Sequence, residues 1–315
     1  MKQRNIAIDI LKFVAVFMVM NSHMAICYPK YSILATGGAI GDALFFFASG
    51  FTLFLGGNMR FDNWYKRRIN RIYPSILATS IFTYVIWGFS ENIGDILIGK
   101  RYWFIGCIMI YYVLLYPIKI YQDGKYAFHS MILGGIFCII AYFLFFNNGK
   151  SFYGGGLYRC MVYFLIMLQG AIMGKKMNTY HYKHIYIIMF VLSVVLWFAI
   201  FHLGKDNWFL LFSFIPLFGV TRYLYLVCCA PVFTKMYNNK YTGNILFVIS
   251  QLCLEVYLIQ KFVFTDAYNH LFPLNVPFIM LCVIIIAYFI KIFSNFISQT
   301  FRSEPYEWNK MLLHK

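Results

Sequence analysis

Residues 6–27 read IAIDILKFVAVFMVMNSHMAIC, and the reading of this stretch decides the fold class. Apart from Asp9 and Lys12 it carries no formal charge. An apolar run of about 20 residues is what a helix needs to cross a hydrocarbon core of ~30 Å. The run follows Met-Lys-Gln-Arg with no small-residue cleavage site, so it reads as a retained first span and not as a signal peptide.

Outward from this segment the same pattern recurs. Of 315 residues, 61% are hydrophobic and 12% charged, and the mean hydropathy is +0.67. A soluble domain has roughly 45–50% apolar and about 25% charged residues. A chain this apolar is neither a soluble globular protein nor a disordered one, since neither hides so much surface from water. Aromatics at 21% suit a protein with many membrane–water boundaries. A ruler of about 20 residues predicts ten spans: Ile6–Cys27, Gly38–Leu55, Pro74–Ser90, Tyr102–Tyr121, Phe128–Phe146, Leu157–Met173, His184–His202, Trp208–Cys228, Gly243–Phe264 and Pro277–Ile297. The connections, such as Asn147–Tyr153 and Lys235–Thr242, are mostly short. The expectation is an all-α, polytopic bundle of about ten transmembrane helices. Residues 1–315 then form a single membrane-embedded domain, with a short basic tail over 298–315 and Gly154–Gly156 as an external turn.

The charge balance gives an orientation. Lys and Arg number 27 against 11 Asp and Glu, a net charge of +16. In a soluble protein that suggests nucleic acid; here an excess of base marks cytoplasmic loops. Placing the N-terminus inside puts 18 basic residues in the cytoplasm, Lys291 among them, and six outside, with Lys12, Arg222 and Lys261 in spans. The topology expected is N-in, C-in, in the plasma or inner membrane, with the bilayer as partner and no nucleic acid.

Three features carry candidate chemistry. In the first span Asp9 stands one turn before Lys12 and can partner it. Lys12 and His23 lie eleven residues apart, so they share a helix face about 16 Å apart along the axis. Charged groups inside a span are costly and mark a site or pathway; a snorkelling anchor is the plain alternative for Lys12, and an interhelical hydrogen bond for His23. In the loop WYKRRINRIYP, helical spacing projects Arg67 and Arg71, or Arg68 and Arg71, from one side. Such a cluster suits phosphate oxygens, or else acts as a topology anchor at lipid headgroups. Glu255 in SQLCLEVYLIQ should face the interior and pair with a cation, Lys12 or Arg222 being candidates. Trp103 and Arg159 are candidates for lining an outer cavity or anchoring at the interface. His181 and His184 have no obvious third ligand, so no metal is expected.

At these residues the chain resembles the acyltransferase 3 family of integral membrane acyltransferases, which modify cell-surface glycans. Asp9, Lys12 and His23 match its first-helix pattern, and FFFASGF with Ser49 and Gly50 matches its second helix. RRINRIYP, with Arg67, Arg68, Arg71, Tyr73 and Pro74, matches its cytoplasmic loop; the segments around Trp103 and Phe104, around Gly170 and Gly174, and SQLCLEVYLIQ also fit. The chain departs in having Lys12 where many members have Arg, and Gln260 where they have His. Lys keeps the charge but loses the bidentate fork, and Gln260 cannot act as acid or base.

The resemblance implies transfer of an acyl group, acetyl in the first place, from cytoplasmic acetyl-CoA to a hydroxyl of a surface glycan or lipid-linked sugar. Arg67, Arg68 and Arg71 would then hold the CoA nucleotide, His23 with Lys12 and Asp9 would be catalytic, and Glu255, Trp103 and Arg159 would contact substrate. An extracytoplasmic acyl-transfer partner, where one is needed, must be a separate protein. The competing expectation is a transporter of a lipid-linked or anionic solute, although no paired Gly/Pro-broken helices stand out in matching halves.

Overall fold

Long apolar segments bounded by glycine, proline and basic residues form helices almost throughout, and no strand occurs among the described residues. The computed structural model describes residues 4–90, 92–98, 101–146, 156–204, 208–300 and 305–313. The connection Asn147–Tyr153, and the expected turn Gly154–Gly156 except for its last residue, lie outside them. Among the described residues thirteen α-helices follow in order. They are α1 (Ile6–His23), α2 (Gly38–Phe51), α3 (Phe61–Trp87), α4 (Ile93–Ile98), α5 (Trp103–Ile120), α6 (Ala127–Ala141) and α7 (Leu157–Lys175). After them come α8 (Ile185–Leu203), α9 (Phe214–Cys228), α10 (Pro231–Asn238), α11 (Lys240–Gln251), α12 (Cys253–Val263) and α13 (Asn275–Thr300).

Among the described residues seven segments are long and apolar enough to cross a bilayer, and α11 with α12 makes an eighth if the bent pair counts as one span. The protein is a multi-pass helical membrane protein. The seven coincide with seven of the ten expected spans. The expected third and sixth correspond to the apolar end of α3 and to α7, and the ninth is broken by a 75° bend between α11 and α12. Local side-chain bonding explains the break. Ser250 Oγ donates to the Phe247 carbonyl and Cys253 Sγ to the Ser250 carbonyl, taking up acceptors that a continuing helix would use. Leu252 at the bend is fully buried, as irregular backbone at membrane depth must be unless it lines a water-filled cavity.

By its internal packing the chain divides into two compact units, with boundaries inside α1, α2, α5 and α10 and after Asn58. The first holds residues 1–11, 42–58 and 113–236. Its core is the phenylalanine run of α2: Phe46 stacks on Tyr163 at 5.2 Å, and Phe51 lies 4.9 Å from Tyr225, whose hydroxyl accepts from Asn5 at 3.3 Å. The main chains of α2 and α7 touch because small residues meet there. A Cβ on Gly170 or Gly174 would strike the Phe47 or Phe51 carbonyl oxygen, and one on Gly50 the Met167 carbonyl. Gly170 and Gly174 are thus the small-xxx-small spacing that lets membrane helices approach closely. In the same unit α8 lies along α9, while Ile188, Val191 and Val195 of α8 stay exposed, as a lipid-facing surface should.

The second unit holds residues 12–41, 59–112 and 237–315, and its centre is the mutual packing of α3, α12 and α13. Helix α3 starts after Arg60 with Asp62 in its first turn, favourable for the dipole, and stops at Gly88, whose φ of 63° suits glycine. Helix α13 runs to Thr300, into what composition suggested as a tail. Part of the remaining chain returns along it: Tyr306 stacks on Phe296 at 5.6 Å, and Asn295 donates to the Met311 carbonyl at 3.1 Å.

Candidate functional site

The second unit holds a cleft of about 360 Å³ between α3 and α13. Arg67, Asn70, Arg71 and Pro74 line it from α3, and Lys291, Ser294, Asn295 and Ser298 from α13. Both sets recur at i, i+3, i+4 and i+7, the spacing that brings side chains onto one helix face. Pro74 has no N–H to close the helical bond to the Asn70 carbonyl, so a backbone acceptor is also freed beside the cleft. Among the described residues neither Arg67 nor Arg71 is neutralised by a carboxylate. Three cations and four neutral polar side chains therefore surround one space, an arrangement suited to phosphate oxygens.

Arg68 is turned away from this space. Its guanidinium lies 4.6 Å from the Trp64 ring centroid and 5.4 Å from that of Tyr112, and Trp64 Nε1 donates to the Tyr112 carbonyl at 3.0 Å. Burial draws the Arg68 guanidinium below its usual value; Tyr112 opposes that shift while Arg71 and Arg67 add to it. Successive helical residues point about 100° apart, so Arg67 and Arg68 cannot both face one cleft.

Glu255, in the first turn of α12 and fully buried, is paired with Lys291 and with neither Lys12 nor Arg222. Lys291 Nζ donates to Oε1 at 2.9 Å and Ser75 Oγ donates to the same oxygen at 2.5 Å, while Oε2 has no hydrogen-bond partner among the described residues. Ser75 shares a 2.9 Å hydrogen bond with Ser294 of the cleft wall. Lys291 is consequently no loop cation, as charge counting had it, but one carried within α13. Two residues before Glu255, Cys253 Sγ approaches the Lys12 carbonyl at 3.8 Å. The helix break thus touches the turn of α1 that bears Lys12, and a chain of contacts runs from cleft to Glu255 to α1.

His23 ends α1 and is exposed, with Lys261 of α12 in electrostatic reach. Its surroundings are fixed by others: Asn275 donates to the Cys27 carbonyl at 2.7 Å, and Met24, Cys27 and Ile279 form a buried cluster. Trp103 opens α5 beside an aromatic group in which Arg101 lies 4.3 Å over Phe89 and 4.4 Å over Phe262. Gln260 is fully buried, and among the described residues neither of its amide atoms has a hydrogen-bond partner. In the first unit Asp9 is buried and held by both Arg4 nitrogens Nε and Nη2, the latter at 2.9 Å, and Arg159 lies in electrostatic reach of Asp42 on α2.

Sequence reasoning missed Lys291, Ser75, the α13 stripe and Asp42. The stripe left a visible signal, since Lys291, Ser294, Asn295 and Ser298 repeat at helical spacing within an apolar segment. A family model described as an acyltransferase domain, acyltransferase 3, matches residues 5–293 and so takes in both units. No curated protein and no solved structure matches the chain.

Proposed function

The chain belongs to the acyltransferase 3 family of membrane acyltransferases, and from that premise we propose that it moves an acyl group, acetyl in the first place, from cytoplasmic acyl-CoA to a hydroxyl of an extracytoplasmic or lipid-linked glycan. The observation that carries this reading is the basic cleft together with its contacts, through Lys291, Glu255 and Cys253, to the Lys12 turn of α1. Phosphate groups of the donor nucleotide sit among Arg67, Arg71 and Lys291. The thioester arm follows α1, whose rise from Lys12 to His23 is about 16 Å.

At His23 a neutral imidazole takes the proton of the sugar hydroxyl as its oxygen attacks the thioester carbonyl. The new C–O bond forms, the C–S bond breaks, and the proton passes to the leaving thiolate. Acyl transfer through the imidazole itself is the variant of this scheme that also needs only His23. Asp9 and Arg159 belong to the first unit, and Trp103 and Glu255 to the second. We assign Trp103 of the second unit to the acceptor. The membrane in question is the plasma or inner membrane, where a cytoplasmic donor meets an outside acceptor.

Broken helices also serve carriers, so the α11–α12 bend gives the transporter reading a specific observation of its own. Purified protein incubated with acetyl-CoA separates the two. Thioester loss dependent on a glycan acceptor supports the transferase; no loss with any surface glycan fraction, together with solute uptake in vesicles, supports the carrier. Mass spectrometry of surface glycans with and without the gene names the acyl group and acceptor.

A further inference from the structure

Lys291 and Ser294 each have two roles in the geometry. Both line the cleft, and both connect to the same oxygen of Glu255, Lys291 directly at 2.9 Å and Ser294 through Ser75. The Lys291 side chain stays 21% exposed toward the cleft, while that of Glu255 is wholly buried. An ammonium has three donors, and Glu255 takes one. A lysine on a long flexible stem is a poor fixed contact unless something holds it. A carboxylate sealed behind it, steadied by Ser75, does that.

We propose that Lys291 is the third phosphate-binding cation of the cleft, and that Glu255 is a positioning residue that seats it and does not touch the acceptor. The ligand class is the phosphorylated nucleotide end of the donor, whose pyrophosphate and phosphate monoester bring several negative charges to one end of a long molecule. Arg67 and Arg71 grip phosphate oxygens in planar, two-pronged fashion, while Lys291 adds a compact charge from the opposite wall. The fourfold polar spacing on α13 then has a use beyond packing: Ser294, Asn295 and Ser298 supply neutral donors beside that charge. This inference rests on the donor reading of the cleft given above.

The test uses the full chain in detergent micelles, with adenosine 3′,5′-bisphosphate as probe of the nucleotide end and acetyl-pantetheine as a donor without phosphates. Lys291→Met alone leaves a buried unpaired carboxylate, which is strongly destabilising. The double variant Lys291→Met/Glu255→Gln removes both charges together and keeps the test open if the single variant does not fold. We expect the double variant to bind the bisphosphate at least tenfold more weakly. Its KM for acetyl-CoA rises by more than its kcat falls, and its turnover of acetyl-pantetheine stays within twofold of the parent. Lys291→Arg, which keeps the charge, restores most of the binding, and Glu255→Gln alone raises the donor KM without altering acceptor KM. Unchanged bisphosphate affinity in the folded double variant, with Arg67→Ala/Arg71→Ala still weakening it, overturns the role of Lys291 and leaves the donor cleft standing. Unchanged affinity in both double variants removes the donor from the cleft altogether.

Discussion

Arg68 lies over Trp64, guanidinium to ring centroid 4.6 Å, while its neighbour Arg67 faces the cleft. Two adjacent arginines of one motif therefore do different work. The indole is itself fixed, donating to the Tyr112 carbonyl from a fully buried position. Cation–π contact is worth about 0.5–1 kcal/mol at exposed sites and ~2 kcal/mol or more when desolvated, and the half-buried Arg68 falls between these limits. Arg68→Leu should lower the thermal midpoint of the purified protein and leave the donor KM of the surviving folded fraction within about twofold. Arg67→Ala should do the reverse. A large donor KM effect from Arg68→Leu with no loss of stability would return all three arginines to a single binding role.

His23→Ala should stop acyl transfer and leave the fold alone. The C-terminal end of α1 is held by Asn21, which donates to the Leu34 and Thr36 carbonyls at 2.7 and 3.0 Å and accepts from the Tyr28 hydroxyl at 2.6 Å. The exposed His23 ring carries none of these bonds. Loss of a general base typically costs 10²- to 10⁴-fold in rate, roughly. Thioester consumption by the variant, read beside its melting curve, checks both halves. Near-normal turnover would remove His23 from the chemistry.

The α2–α7 approach gives a stability test with an internal control. Gly170→Leu or Gly174→Leu forces a side chain into a carbonyl oxygen of the facing helix, and overpacking of this kind costs roughly 1–3 kcal/mol or prevents folding. A methyl group on Gly135 of α6 would meet nothing within 4 Å, so Gly135→Ala should be neutral or stabilising by up to about 1 kcal/mol through helix propensity alone. Thermal unfolding in one detergent compares them. Equal effects of the two substitutions would mean that close backbone contact does not hold these helices together.

Much of this architecture was written in composition and period. Apolar length located seven spans, because crossing a bilayer is a one-dimensional constraint that a sequence displays directly. The Arg67–Arg71 spacing was equally legible, since neighbours at i, i+4 are local. The partner of Glu255 was not. Lys291 is 36 residues further along the chain, and its pairing is set by how α12 and α13 pack. Charge counting set it in the cytoplasm although the expected span Pro277–Ile297 encloses it, and the polar stripe around it went unread. The bend at Leu252 was also hidden, because the flanking residues stay apolar enough to read as one continuous helix. Arg68 shows the same limit from the other side: its charge was plain, its ring partner Tyr112 lay far along the chain.

The chain beyond α13 braces the helix that forms one wall of the cleft. Asn295, which lines the cleft, donates to the carbonyl of the buried Met311, and Gln299 bonds Glu307 in both directions, accepting its N–H at 2.8 Å and donating to its carbonyl at 3.4 Å. Tyr306 adds a hydrogen bond to Thr300 at 2.9 Å and stacks between Phe296 and Trp308. These contacts hold the last turns of α13, the same turns that present Asn295 and Ser298 to the cleft. Deleting residues 305–315 should therefore raise the donor KM several-fold with little change in the acceptor KM, because it loosens one wall of the cleft without removing a cation. Asn295→Ala should give a smaller rise in the same direction, and combining it with the deletion should add little, since both changes act through one contact. Steady-state kinetics with varied acetyl-CoA measures this; full additivity of the two changes would separate the terminal segment from the cleft.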